Sequence, residues 1–302
     1  MGSATAIDGP VNAEPMRAAA IFGLGTSPAN LASFRAGSAT EWSEGVPTSS
    51  SDADAILIFG GDGTIHRHLP ALVRLKLPVL VVPAGSGNDF ARSLNLGGVA
   101  ESMKTWRTFE SGAGNTRAVD LGTITEDRDG GTRHYYSCVA GCGLDSAVAR
   151  KANRMPRWLR RHGGYALGLI PTILSFSPVN LRLDIGDGPM AGKVAKPVLL
   201  AAFANTPFYG DGMRVAPLAK MDDGKLDLCL INPLHRLKLL SLFPSVYFGR
   251  HLAIEGVEYS QAERVRVETE QPLDIYADGE YVCQTPVEIG VQRNALKVIS
   301  PS

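Results

Sequence analysis

The sequence predicts an α/β domain followed by an antiparallel β-rich domain with helical inserts. Three observations carry this. Short continuous apolar runs, Ile56–Phe59 and Val79–Val82, end in glycine turns, as strands buried on both faces of a parallel sheet do. Helical patterns follow these turns, and the strand–turn–helix rhythm persists to about residue 117. Beyond it come short strand candidates, several alternating apolar and polar residues, as in Leu181, Leu183 and Ile185.

The elements follow in order. "RAAAIFGLG" reads as a first strand and glycine turn. Residues 26–52 are weakly patterned and rich in Ser, Ala and Thr. "DAILIF" is the next strand, and "IHRHLPALVRLKL" a helix interrupted at Pro70. "PVLVVPAG" is a strand, "SGNDFARSLNLGG" a turn, cap and helix closed by Gly97, and "VAESMKTWRTFESG" a further helix. In the second part the strand candidates are "RAVDLGTIT", "RHYYSCVAG", "VNLRLDIG", "PVLLAAFAN", "KLDLCLIN", "RVRVET", "LDIYAD" and "PVEIGV". Helical inserts are expected at about 144–176 and 235–251. Residues 1–15 are small and polar without periodicity, and read as disordered.

Composition narrows the classes. The chain has 302 residues, 44% of them hydrophobic, enough for a sizeable core and two domains. Lys+Arg and Asp+Glu are 30 each, so global charge gives no argument for nucleic acid. Cys138, Cys142, Cys229 and Cys283 form no CxxC pair and read as buried free thiols, which fits a reducing, cytoplasmic compartment. The N-terminus lacks a signal-peptide pattern, and Ala6 stands where a myristoylation motif wants Ser or Thr. The longest apolar stretch, Tyr165–Phe176, is too short to span a bilayer.

The two glycine turns are "GGDGT" after Phe59 and "PAGSGND" after Val82. Glycine lets another group approach the backbone, and successive N–H groups in such turns form anion-binding concavities at the carboxyl ends of strands. No Walker A loop occurs, and "GLGTSP" and "GDGTIH" both lack the third glycine of a dinucleotide fingerprint. Asp62 is the distinguishing feature, because a bare phosphate nest would be repelled by it. A carboxylate beside phosphates implies a divalent cation or a proton to handle. The alternative is that Asp62 and Asp89 merely satisfy turn N–H groups.

"GGDGT" followed by "PAGSGNDFAR", then "VDLG" at 119–122, "GCGLDSAVA" at 141–149, "DDGKLDL" at 222–228 and "ADGEY" at 277–281, resembles the diacylglycerol kinase catalytic domain superfamily. More narrowly it resembles the soluble bacterial lipid kinases related to sphingosine kinases, over roughly residues 55–300. The resemblance implies an NAD-kinase-like nucleotide-binding α/β domain followed by a β-sandwich-like domain. The division expected is 1–117 and 118–291, with 292–302, which contains "NALKVIS", returning to complete the first. It implies ATP and Mg²⁺ in the cleft and transfer of the γ-phosphoryl group to a lipid hydroxyl. Three departures stand out: "GLGTSPAN" replaces the family's first nucleotide loop, Arg67 stands where Glu is common, and Ser86 replaces a frequent Thr. An NAD kinase, or a nucleotide- or lipid-binding pseudokinase, are the rival readings.

Carried over residue by residue, Gly60, Gly61, Asp62, Gly63 and Thr64 would cradle phosphates, helped by Gly85, Ser86, Gly87, Asn88 and Asp89. Asp62, Asp89 and Asp120 match the family's acidic positions near catalytic Mg²⁺. Glu280 is the implied general base, with Asp278 as metal partner or rival base. The "DG" pair reads equally as a hairpin turn. A structural Mg²⁺ is implied at the carbonyls of Lys220 and Lys225 and the carboxylate of Asp223, whose bland reading is a solvated turn.

A membrane face is also legible. Arg150, Lys151, Arg154, Arg157, Arg160 and Arg161 occur with no acid among them, beside Trp158 and the apolar run that follows. This suits an interfacial helix over 150–176 against anionic lipid, with 235–251 a second candidate, or else a solvated basic face over core residues. The expectation is therefore peripheral membrane contact and no nucleic acid.

Overall fold

The structure is a computed structural model that describes residues 15–128, 130–154, 171–173 and 175–301. Four parallel strands open the chain: β1 (Arg17–Phe22), β2 (Glu41–Glu44), β3 (Ala55–Gly60) and β4 (Val79–Pro83), arranged β2-β1-β3-β4. β3 is buried along its whole length, as its unbroken apolar run requires. The weakly patterned stretch after β1 holds only a short 3-10 turn, the four-residue helix α1 (Ala32–Arg35) and the edge strand β2.

Helix α2 spans Asp62–Leu75 and so begins inside the glycine motif rather than after it. It runs straight through Pro70, where an interruption was expected. Proline removes one hydrogen bond, at a cost of ~3 kcal/mol. The buried stripe Ile65, Leu69, Leu72 and Leu75 holds both halves against the sheet. α3 (Asp89–Ser93) is a single short turn of helix, ending before the predicted Gly97, and α4 is Val99–Glu110.

The sheet does not stop at the end of this unit. β16 (Val287–Ile299) pairs in parallel with β4 through Val298 and Val79, and antiparallel with β5 (Thr116–Glu126). It also pairs with β13 (Arg264–Thr269), which leads to β8 (Val179–Ile185) and β9 (Gly192–Val198). β6 (Arg133–Tyr136) pairs with β5. A second, antiparallel sheet runs β12 (Val257–Ala262), β11 (Leu226–Ile231), β10 (Leu200–Ala204), β7 (Val139–Gly143), β14 (Asp274–Ala277), β15 (Glu280–Gln284).

The two sheets pack face to face. Leu181, Leu183 and Ile185 of β8 meet Ala201 and Phe203 of β10 and Leu228 of β11 in one core cluster. The other face of β10 and β11, with Ala202, Ala204 and Cys229, belongs to the core shared with the parallel strands. This two-sided burial explains why β10 and β11 read as continuous apolar runs while β8 alternates. The α/β-plus-sandwich class is the one expected. "RHYYSCVAG" is not one strand, however: the chain leaves the first sheet at Tyr136 and enters the second at Val139. Of the helical inserts, α5 (Leu144–Arg154) and α6 (Arg236–Tyr247) are seen. Arg157, Trp158, Arg160, Arg161 and Tyr165–Ile170 lie outside the described residues, as do residues 1–14.

Truncating the sandwich core at Phe203, which is fully buried, should cost about 3–5 kcal/mol in a Phe203→Ala protein, read as a lowered urea midpoint with unchanged m-value.

Candidate active site

Three glycine turns meet at the carboxyl ends of β1, β3 and β4. The Gly61 and Gly85 turns touch backbone to backbone: a Cβ added to Gly85 would lie 2.6 Å from Gly61 Cα. Neither position has room for a side chain. Thr64 turns inward and packs across Gly60, where a Cβ would lie 2.6 Å from its own, and across Gly23 of the first loop. That first loop is itself ordered: Gly23 N donates to Phe59 O at 2.8 Å, and Thr26 Oγ1 donates to Phe59 O at 2.9 Å.

Because α2 starts at Asp62, the N–H groups of Asp62 and Gly63 have no acceptor within the helix and mark its positive end. In the second turn Asn88 folds back on Gly85: its Oδ1 accepts Gly85 N and its Nδ2 donates to Gly85 O, both at 2.8 Å. Gly85 and Asn88 therefore shape the loop, with their polar groups already used. Ser86 is exposed at its tip.

The carboxylates act as clasps. Asp62 accepts the N–H groups of Asp89 (2.9 Å) and Phe90 (3.0 Å), so it caps α3 from across the turn. Gly87 sits against it; a Cβ there would stand 3.1 Å from Asp62 Oδ2. Asp89 in turn accepts N–H groups from Asp211 (3.1 Å) and Gly212 (2.9 Å) and pairs with Arg92. Burial pushes the Asp89 carboxyl up to about 6, with the charge of Asp62 adding to it. Asp62 is raised too, first by burial. Satisfying turn N–H groups is thus something both residues do.

Asp278 and Gly279 form the two-residue β14–β15 turn, both with positive φ (51° and 83°). Asp278 Oδ1 accepts Cys138 N at 2.8 Å, and Oδ2 accepts Ser137 N at 2.8 Å and Ser137 Oγ at 3.1 Å. These bonds break "RHYYSCVAG" in two, because Ser137 and Cys138 give their N–H groups to the carboxylate instead of a neighbouring strand. His66 Nδ1 donates to the same Oδ2 at 3.1 Å. Burial lowers the His66 pKa, but its bond to Asp278 and the charges of Asp278 and Glu280 outweigh this, and the net shift is upward. Glu280, exposed, reaches the first turn of α2: a Cβ on Gly63 would lie 3.1 Å from its Oε1.

Asp120 stands apart from this group. Its buried carboxylate accepts Gly224 N and Asn294 N, both at 2.7 Å, fastening the 221–225 loop to the irregular part of β16. It is linked to the cluster through Asn205, whose Nδ2 donates to the carbonyls of Asp120 (3.0 Å) and Ser137 (2.9 Å). In that loop Asp223 Oδ1 accepts Lys225 N at 3.0 Å, and Gln261 Nε2 reaches both Asp223 and the buried Asp227. Lys220 is exposed. Among the described residues no three His, Cys, Asp or Glu side chains converge on a common point. Arg67 is exposed on α2.

Residues 28–124 match the diacylglycerol kinase catalytic domain and residues 138–300 the YegS C-terminal NAD kinase β-sandwich-like domain. A diacylglycerol kinase of Mycobacterium tuberculosis is 34% identical over 248 residues, covering 82% of this chain and 77% of that one. The chain belongs to the diacylglycerol kinase catalytic-domain family. Among solved structures, a diacylglycerol kinase from Bacillus anthracis has a TM-score of 0.67 at 17% identity, covering 96% of this chain and 98% of that one. An NAD kinase from Archaeoglobus fulgidus in complex with ATP has 0.51 at 14%, covering 94% of each. These two establish the fold alone.

Within this family member, the residues that sequence reasoning overlooked are His66, Ser137, Asn205 and the Asp211–Gly212 turn. His66 had a signal, since it lies four residues from Asp62, one helical turn away, once the helix is started at Asp62. The others bond through backbone groups, or to them, across long sequence distances.

Two outcomes follow. A Gly85→Ala protein, with nowhere to put its Cβ, should lose nucleotide binding by at least tenfold in a filter or calorimetric assay. Without divalent cations, the folded protein holds a proton on Asp89 between about 3.8 and 6 that the unfolded chain has lost. This group's contribution to stability is complete at low pH and is lost as pH rises through about 6. Unfolding free energies from pH 4 to 7 should therefore slope more gently in Asp89→Asn than in wild type.

Proposed function

We propose that this protein transfers the γ-phosphoryl group of ATP to a hydroxyl of a membrane lipid, of diacylglycerol, phosphatidylglycerol or sphingoid type. The observation that carries this reading is the meeting of Glu280 with Gly63. A carboxylate borne by the antiparallel sheet comes to the phosphate-facing turn of the parallel one. A hydroxyl is a poor nucleophile, so a base placed there has a purpose.

The parts fit phosphoryl transfer, which needs positioning and charge neutralisation. The turns at Gly61 and Gly85 touch backbone to backbone, so that a Cβ on either would force them apart, and the first turn of α2 offers the N–H groups of Asp62 and Gly63. Asp62 and Asp89 suit a Mg²⁺ held partly through water: each Asp62 oxygen and Asp89 Oδ2 accept one protein N–H and keep a lone pair, while Asp89 Oδ1 is taken by Gly212 N and Arg92. The cation would neutralise charge on the transferred group. Glu280 takes the hydroxyl proton. Asp278, with four donors on its carboxylate, anchors the turn rather than serving as base or metal partner. Asp120 acts as a brace for the 221–225 loop, where the carbonyls of Lys220 and Lys225 and the carboxylate of Asp223 remain the proposed structural cation site.

Peripheral contact with anionic membrane is part of the proposal. α6 exposes Leu237 at its start, and Phe248 follows its end, both about 70% accessible. Arg250 stacks over Phe248 at 6.0 Å, with Arg236 also exposed. Among the described residues no helix is long and apolar enough to cross a membrane.

Labelled-phosphate transfer from ATP to a panel of diacylglycerol, phosphatidylglycerol, ceramide, sphingosine and NAD tests the reading. Transfer to a lipid is expected; transfer to NAD alone would overturn it, and ATP binding without transfer would indicate a pseudokinase. Glu280→Gln should lower kcat by about 10²–10⁴-fold. Leu237→Asp with Phe248→Asp should weaken sedimentation with anionic vesicles while sparing turnover of a short-chain soluble lipid.

A further inference from the structure

His66 lies on α2, one turn beyond Asp62 and three residues beyond Gly63. Residues three apart share a helix face, and both meet the same partner: Gly63 lies against Glu280, and His66 bonds Asp278. The other donors to Asp278, from Ser137 and Cys138, all come from the single junction between β6 and β7. On the α2 side His66 is thus a side chain that grips the turn directly. The Asp278 side chain is wholly shielded from solvent and that of His66 nearly so, at 17%.

The grip works against repulsion. The charged groups facing His66 are Asp278 and Glu280, and Asp278 also feels Asp62 on the same helix. The first turn of α2 and the hairpin turn thus carry three carboxylates between them. The imidazole N–H bond to Asp278 draws the two turns together against that repulsion. Arg67, the next residue, is exposed.

We propose that His66 is a positioning residue for phosphoryl transfer: it latches the Asp278–Gly279–Glu280 turn to α2 and so holds the Glu280 carboxylate beside Gly63. The inference rests on the lipid-kinase reading. A buried histidine that only satisfied its own hydrogen-bonding needs would also contact Asp278, so the test must separate the two roles. Their difference is whether Glu280 works without the latch. A displacement of about 1 Å in a reacting group costs on the order of 10²-fold in rate.

The experiment compares wild type, His66→Ala, His66→Asn, Glu280→Gln and the double variants. Each is assayed on whichever panel lipid the wild type phosphorylates, in mixed micelles, with a thermal melt of each protein. His66→Ala should lower kcat by about 10–100-fold and leave the KM for ATP within about twofold. His66→Asn, a shorter side chain that still offers an N–H, should recover kcat to within about tenfold of wild type. In the Glu280→Gln background His66→Ala should add little, because a latch has no value once the base is gone. An unchanged kcat in His66→Ala, or losses that multiply in the double variant, would overturn the inference and leave the kinase reading standing. A wild type that phosphorylates no lipid would overturn both. If His66→Ala does not fold, His66→Asn alone and with Glu280→Gln carries the same comparison: a folded protein as slow as Glu280→Gln, with losses that multiply, overturns the latch.

Discussion

The bond between the Asp62 carboxylate and the N–H groups of Asp89 and Phe90 is the constraint on which the site depends. It joins the turn after β3 to the turn after β4, and it does so at a place where Gly61 and Gly85 already touch. A longer side chain at 62 would part the turns, and an apolar one would leave two helix N–H groups unpaired in a buried place. The same device recurs outward. Asp89 takes the N–H groups of the 211–212 turn, Asp278 those of Ser137 and Cys138, and Asp120 those of Gly224 and Asn294. Each carboxylate ties together segments that are far apart in sequence.

This arrangement gathers buried acids that are held in place by hydrogen bonds. Backbone N–H groups hold the acids in place without neutralising them, so burial and mutual repulsion raise Asp62 and Asp89. Arg92, paired with Asp89, offsets part of this negative charge. The acid left outside the clasps is Glu280. It is exposed, it stands at the edge of the cluster, and its partner across the gap is a glycine.

The connection between the two sheets matters equally. β16 pairs with β4 at one end and with β13 at the other, so the parallel strands and the sandwich share a continuous hydrogen-bonded ladder. The glycine turns and the Asp278–Glu280 turn are thus placed by one framework. The His66 bond trims their last separation.

Much of this was legible in the sequence. β1, β3, β4 and β8 follow from apolar runs and alternation, α4 from its periodicity, and the glycine turns from their composition, because these are local consequences of burial and backbone freedom. Asp62, Asp89, Asp278 and Glu280 were visible as acids in turns, and three of them prove to be hydrogen-bonding clasps. The sequence could not show that α2 starts at Asp62 and passes through Pro70, since the helix is held by a buried stripe that outweighs one lost bond. Nor could it show that "RHYYSCVAG" divides between two sheets, because the cause is a carboxylate about 140 residues away. That Asp120, a catalytic candidate, accepts the N–H groups of Gly224 and Asn294 was hidden for the same reason: which N–H groups surround a carboxylate is a matter of tertiary structure. Residue types and their order determined the class of fold and the kind of chemistry. Only the tertiary structure decided which acids are occupied and which one is left exposed.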